Sequence, residues 1–349
     1  MKKRVVFLYS ELAGYFLESA LALKNSGYEV HIVHWPVNME APFNFTLKYS
    51  SLKLYNRDDY NANKLIDLIK NISPDIILCS GWVDKLYLKI CSTYFSKIPT
   101  VLTFDNKWKG TIKQRLAILS STFFLLNKFS HVWVPGKSQS EFANKLGFKK
   151  ERIFSGFYCA DINLFSNYYL QRKEYASSKT FQKLIYIGRY VEWKGINDLW
   201  QAFSELDDGY NLNWELHCLG TGPVKPCEHP KIKHFGFVQP ENLSKHLIDA
   251  SLFILPSQIE PWGVIVQEMA AAGLPLILSD QVTSRETFLK SGENGWEFKS
   301  GNISSLKRVL LAAMQTDKNI LAEMGERSHL ISSTIDQKHW VNVISTIVS

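Results

Sequence analysis

The stretch Leu255-Pro256-Ser257-Gln258-Ile259-Glu260-Pro261-Trp262-Gly263-Val264-Ile265-Val266-Gln267-Glu268-Met269-Ala270-Ala271-Ala272-Gly273-Leu274-Pro275 decides how the rest of the chain is read. Two carboxylates, Glu260 and Glu268, bracket seven residues that include Pro261 and Gly263. Apolar runs flank it, Leu252–Leu255 before and Pro275–Ser279 after. The pattern predicts a strand, a carboxylate-bearing loop, a helix opening near Val264 and a second strand. In a parallel sheet such a loop lies at the carboxyl end of the strands, where ligands bind.

The same alternation extends in both directions. Upstream, Arg4–Tyr9, Glu29–Trp35, Asp75–Ser80, Thr100–Phe104 and His131–Val134 read as strands, with helical spacing between them. Ser138 with Glu141 reads as a capping box. The polar stretch 167–180, with Gln171-Arg172-Lys173-Glu174 inside it, breaks the rhythm and reads as a linker. The alternation then restarts with Lys183–Ile187 as a strand, Ile196–Leu206 as a helix, Asn213–Leu219 as a strand and Gln239–Ala250 as a helix. The prediction is an α/β chain of two Rossmann-like domains facing a central cleft. Residues 1–166 form the first domain and 181–335 the second. Residues 336–349 form a helix that can cross back to the first.

Composition narrows the function. The 349 residues carry a net charge of +7, 46% hydrophobic and 21% charged residues, as expected of a water-soluble globular protein. Five cysteines, none in a C-x-x-C pair, argue against a zinc site or disulfide framework and for a reducing cytosol. No signal peptide or membrane-spanning run is evident. The positive balance suits anionic partners. The basic residues do not gather on one helix, which argues against nucleic acid. No G-x-G-x-x-G follows either domain's first strand, which argues against a dehydrogenase. Asp207-Asp208 reads as a surface turn, and no Asp-x-Asp metal element stands out.

Chemistry concentrates in the second domain. Gly188-Arg189 and Lys194-Gly195 lie on the loop after its first strand. Two cations there suit a diphosphate, Arg by forked hydrogen bonds and Lys as a mobile charge. The N–H groups at Gly263 and Val264 open a helix and offer an anion site. Glu260 and Glu268 can accept paired hydrogen bonds from neighbouring hydroxyls.

These pieces, with Gly220-Thr221-Gly222-Pro223, Phe235-Gly236-Phe237-Val238 and Gly292-Glu293-Asn294-Gly295, resemble the retaining glycosyltransferase family 4, whose fold is GT-B. The resemblance implies transfer of a sugar from a nucleotide-sugar donor to a glycan or lipid-linked acceptor, without a metal or other cofactor. Bacterial surface polysaccharide assembly is the implied setting. Arg189 and Lys194 would grip the diphosphate, with Gly188, Gly222, Pro261 and Trp262 around the donor. Glu260 would hold hydroxyls of the moving sugar and Glu268 the ribose. Backbone at Phe237 and Val238 would meet the base, unless those side chains are simply core.

The first domain departs from the family pattern. Only Gly14 remains of the glycine-rich loop after its first strand, either for close approach of a ligand or as a helix start. Where many members have a His, this chain has Phe104-Asp105; Asp105 either accepts a sugar hydroxyl or caps the next turn. Trp82 either stacks on an acceptor sugar or packs inside. The basic segment Lys107-Trp108-Lys109, Lys113 and Arg115 suits an anionic membrane surface and hence a peripheral location on the inner face. The helix Leu116–Leu126 itself reads as buried. Two alternatives remain, a nucleotide-sugar epimerase on the same fold and a non-catalytic sugar-nucleotide-binding partner subunit.

Overall fold

The computed structural model describes residues 2–36, 49–176 and 182–349. The chain divides into two compact units, Met1–Asp161 with Ile335–Ser349, and Ile162–Thr334.

The first unit runs β1 (Arg4–Tyr9), α1 (Gly14–Asn25), β2 (Glu29–His34), β3 (Lys53–Asn56), α2 (Ala62–Ile72), β4 (Ile76–Ser80), α3 (Lys85–Tyr94), β5 (Thr100–Thr103), α4 (Ile112–Phe124), β6 (His131–Trp133), α5 (Lys137–Lys145) and β7 (Ile153–Phe154). The second runs α6 (Ile162–Ala176), β8 (Lys183–Ile187), α7 (Ile196–Tyr210), β9 (Glu215–Leu219), β10 (Ile232–His234), α8 (Ser244–Leu247), β11 (Leu252–Leu255), α9 (Val264–Ala271), β12 (Leu276–Ser279), α10 (Arg285–Phe288), β13 (Gly295–Phe298), α11 (Ile303–Met314) and α12 (Lys318–Ser332). The last helix, α13 (Gln337–Val348), returns to the first unit. There Trp340 is buried, donates from Nε1 to the Phe157 carbonyl at 2.7 Å and stacks on the Phe157 ring.

Both sheets are parallel, with strand orders β3-β2-β1-β4-β5-β6-β7 and β10-β9-β8-β11-β12-β13. Central strands such as Val5–Leu8 and Leu252–Leu255 are fully buried because helices cover both faces. The order reverses between β1 and β4 in one sheet and between β8 and β11 in the other. Loops at such switch points diverge to opposite faces and leave a crevice at the strands' carboxyl ends. In the second unit those loops are 188–195 and 256–263, the two stretches singled out in the sequence.

Several elements differ from the sequence reading. Residues 167–176, expected in a linker, continue the helix α6, which belongs to the second unit. Their polarity is structural: Arg172 sends its guanidinium to the carbonyls of Ala250, Ala272 and Gly273, each at 2.6 Å. Residues 177–180 lie outside the described residues. The capping box at Ser138 is not used, since α5 starts at Lys137 behind Gly136 without a side-chain cap. The segment 239–250 holds only a turn of 3-10 helix and the four-residue α8. Asp207 lies inside α7, half hidden, and its carboxylate takes Lys231 at 2.7 Å. The helix α4 is not buried: along it only Ser121 is.

His131 in β6 fixes one property of the first unit. It is buried, with Arg152 donating to Nε2 at 2.6 Å and Ser130 Oγ 2.8 Å from Nδ1. Burial first, and then the Arg152 charge, hold this imidazole down at about 4. An unfolded histidine titrates near 6.5, so between these values the unfolded chain binds the extra proton. Stability present above pH 6.5 is therefore lost as pH falls towards 4, by about 2 kcal/mol at pH 5 from this group. Urea unfolding at pH 7 and pH 5 should show the loss, and His131→Gln should remove that part of it. Burial also lowers His31, His217 and His246, so a residual slope of the same sign is expected in the variant.

Candidate active site

The site of the second unit is assembled from three strand ends. β8 leads into Gly188–Gly195, β11 into Pro256–Gly263, and β12 into the turn before α10. Backbone bonds stitch the first two loops together, since the N–H groups of Gln258 and Ile259 both donate to the Trp193 carbonyl, at 2.8 and 3.2 Å. The third loop clasps the second. Thr283 donates to the Glu260 carbonyl from both its N–H and its hydroxyl, at 3.3 and 3.1 Å. Ser284 does the same for Trp262 and Gly263, at 3.2 Å each.

This framework brings Lys194 and Glu260 together in a direct ion pair. Glu260 is only 8% exposed, and the Ser257 hydroxyl also donates to its Oε2 at 3.2 Å. Ser257 is in turn fixed by Ser279, which donates to its carbonyl. The carboxylate is therefore held in one orientation rather than swinging in solvent. Its position depends on Gly263, which caps α9 at φ +86°. A Cβ there would come within 3.0 Å of Glu260 Cγ, and the backbone conformation itself disfavours any other residue. Val264 and Ile265 open α9, where helix geometry leaves N–H groups without intrahelical partners and favours an anion, while the Val266 N–H already donates to the Gly263 carbonyl at 3.1 Å. Glu268 sits in the second turn of the same helix, half-buried.

Arg189 stands exposed on the first loop. Tyr186 of β8 pins that loop by donating from its phenol to the Arg189 carbonyl at 2.9 Å, and burial pushes the phenol's pKa up. Next to it, Gly220-Thr221-Gly222 packs backbone to backbone. Tyr190 N–H donates to the Thr221 carbonyl at 2.8 Å, and a Cβ on Gly220 would lie 1.9 Å from the Gly188 carbonyl oxygen. The glycines of this motif are thus demanded by the loop carrying Arg189. Gly222 is exposed, as is Phe237 after β10, while Val238 is half-buried; Phe237 is not core.

Trp262 corrects an expectation. Its ring is 2% exposed and packs on Phe288, so it supports the loop from below and offers no ring to a ligand. Pro261 beside it is half-buried. Tyr186, Ser257, Thr283 and Ser284 were not singled out in the sequence. Only the Pro-Ser step before Glu260 hinted at any of them.

In the first unit, Gly14 opens α1 at the carboxyl end of β1, and a Cβ on it would meet nothing within 4 Å. Phe104 is buried between Trp82 and Phe142, with centroid distances of 5.3 and 5.8 Å. It cannot reach a ligand in place of a histidine. Trp82 is half-buried against that core, which is the packing role rather than an open stacking platform. The helix that follows is capped by Thr111. Asp105 Oδ2 accepts from the Tyr158 hydroxyl at 3.4 Å, and the Tyr158 ring meets Tyr15 edge-on at 5.6 Å.

Residues 169–329 match the model of a family described as Glycosyl transferases group 1. Among curated relatives, an exopolysaccharide phosphotransferase of Streptomyces coelicolor is 28% identical over 50% of this chain and 19% of its own length. The N-acetyl-alpha-D-glucosaminyl L-malate synthase of Bacillus anthracis is 23% identical over 69% of this chain and 62% of its own. The chain thus spans less than two thirds of the length of the curated relatives it matches. Among solved structures, Anabaena HepE in complex with UDP and glucose superposes with a TM-score of 0.73, at 14% identity, over 99% of both chains. Likeness at that identity shows the fold, two doubly wound α/β units in the GT-B architecture.

Proposed function

We propose that this chain is a retaining, metal-independent glycosyltransferase that moves a sugar from a nucleotide-activated donor to a glycan or lipid-linked acceptor. The observation that carries the reading is the Lys194–Glu260 pair, held at the β8/β11 switch point beside the N-terminus of α9. One group there suits an anion and the other suits hydroxyls, side by side, which is what a sugar diphosphate requires. The family match over the same unit supports it.

In this reading Arg189, Lys194 and the Gly263 and Val264 N–H groups hold the diphosphate. Glu260 holds hydroxyls of the moving sugar, Glu268 the ribose, and the backbone at Phe237 and Val238 the base. The bond from the anomeric carbon to the acceptor oxygen forms on the face where the carbon–phosphate-oxygen bond breaks. The departing phosphate oxygen takes the acceptor's proton. Charge grows on the diphosphate in that step, so the protein's work is electrostatic and is done by fixed cations and dipoles. Asp105 serves the acceptor side as a hydroxyl-accepting group. Relatives named for exopolysaccharide and lipopolysaccharide core synthesis point to surface polysaccharide as the setting.

A thermal-shift screen against nucleotide sugars tests this. A donor at 100 times its dissociation constant should stabilise the protein by about 2.7 kcal/mol. Glu268→Ala should weaken binding of the free nucleotide. With a lipid-linked acceptor, the product's anomeric proton should show the donor's configuration. Stabilisation by no donor, together with neither transfer nor hydrolysis, would sink the proposal.

A further inference from the structure

The helix α4 presents large apolar side chains outward. Ile112 is 78% exposed, Leu116 59%, Leu119 77% and Phe123 82%. At 3.6 residues per turn these four fall within an arc of about 60°. On the opposite side Ser121 is buried, with Ala117 and Ile118 half-buried. Lys113 and Arg115 stand exposed, one on each flank of the stripe. Beyond the Lys113 flank, Phe124 is 45% exposed and lines a groove of about 480 Å³ between α3 and α4 together with Lys85, Lys89 and Lys128. From residue 106 to 140 the chain has six Lys or Arg and no Asp or Glu.

We infer that this face of the first unit docks on an anionic phospholipid surface. The stripe would enter the acyl boundary, Lys113 and Arg115 would lie at headgroup level, and the groove would take a headgroup phosphate between Lys85, Lys89 and Lys128. An apolar stripe edged by cations is the pattern of a helix lying in a membrane interface. Such a patch exceeds the scattered exposed apolar residues of an ordinary surface. A second copy of the chain fits the same face poorly. A twofold interface sets the same patch against itself, so it would face cation against cation with no acid in the segment. No helix among the described residues is long and apolar enough to cross a membrane, so the contact is one of lying on the surface. The inference stands on α3 and α4 alone and does not rest on the transferase reading.

Sedimentation of the full chain with vesicles tests it, using phosphatidylcholine alone and an equal mixture of phosphatidylcholine and phosphatidylglycerol. The protein should partition onto the mixed vesicles, be released by salt and leave neutral vesicles largely empty. Lys113→Gln with Arg115→Gln should lower partitioning roughly 25-fold, about fivefold per cation. Leu119→Glu with Phe123→Glu should lower it at least tenfold. Thermal unfolding should be unchanged in both variants, because the side chains replaced are exposed. Equal binding to both vesicles, no binding, or wild-type binding by the Leu119→Glu/Phe123→Glu variant would overturn the inference. So would a concentration-dependent dimer that the same variant disperses. None of those outcomes touches donor binding by the second unit.

Discussion

Replacing Lys194 by Ala should lower kcat for donor turnover by about 10²- to 10³-fold, the usual effect of losing one fixed stabiliser of developing charge. A second effect follows from its partner. Glu260 is almost fully enclosed, and without Lys194 its remaining side-chain donor among the described residues of the second unit is Ser257. Breaking a buried pair from one side leaves a charge out of water and costs about 3 kcal/mol or more. In a unit of this size that lowers Tm by roughly 6–12 °C. The two effects separate in a cycle with Glu260→Gln. Stability should be partly restored in the Lys194→Ala/Glu260→Gln double variant, because the orphaned charge is gone. Activity should not be restored, because the phosphate cation is gone and Gln keeps only one uncharged acceptor oxygen where the carboxylate offered two. If the double variant recovered turnover along with stability, the pair would be a structural brace and not part of a donor site. If Lys194→Ala kept full activity at a temperature where it is folded, the electrostatic role of this lysine would fall.

The pair also shows what the sequence could and could not reveal. Lys194 and Glu260 are legible as candidates because glycines and prolines mark loops at strand ends, and a parallel sheet places those ends together. Their direct contact is not legible, since it follows from β8 and β11 being neighbours, which no local pattern states. Ser257, Thr283 and Tyr186 escape for the same reason. They act on atoms brought near by the sheet, and each is an ordinary residue in its own neighbourhood. Trp262 and Phe104 show the converse. Both stand in motif positions, and both spend their rings on the core.

The helix α4 departs from its expected burial for a different physical reason. Its periodicity is visible, but periodicity does not say which face turns inward. Here the smaller residues Ala117 and Ser121, with Ile118, face the unit, and the larger apolar ones face out. Leu116–Leu126 reads as buried because it lacks a strong polar face, yet a helix can pack by its smaller residues and leave its large apolar side chains outward. Edge strands were the other blind spot. β3, β7, β10 and β13 stand at the four sheet edges and are only partly buried, so they lack the continuous apolar run that marks the equally short but buried β5, β6, β11 and β12.

Arg172 carries the second large expectation. It lies in a stretch whose composition reads as solvated linker, where a substitution should cost within about 0.5 kcal/mol. The structure places its guanidinium against three backbone carbonyls, two of which, Ala272 and Gly273, close the C-terminal end of α9. A helix end leaves its last carbonyls without intrahelical partners, and a cation there also meets the negative end of the dipole. Burial draws the guanidinium down to about 10, so it stays charged at neutral pH. Arg172→Met should therefore strand these carbonyls and destabilise the second unit by about 3 kcal/mol, near 1 per lost acceptor. Arg172→Lys should recover only part of this, because one ammonium cannot reproduce the planar fork. Urea unfolding of the full chain measures both. The same helix presents Gly263 and Val264 at its other end, so Arg172→Met should also weaken nucleotide-sugar binding, although the residue touches no donor. A loss below 0.5 kcal/mol in Arg172→Met would show that the three carbonyls do not depend on this guanidinium, and its role as a clamp would fall. A full loss with unchanged donor affinity would show that α9 keeps its N-terminal geometry without its C-terminal clamp.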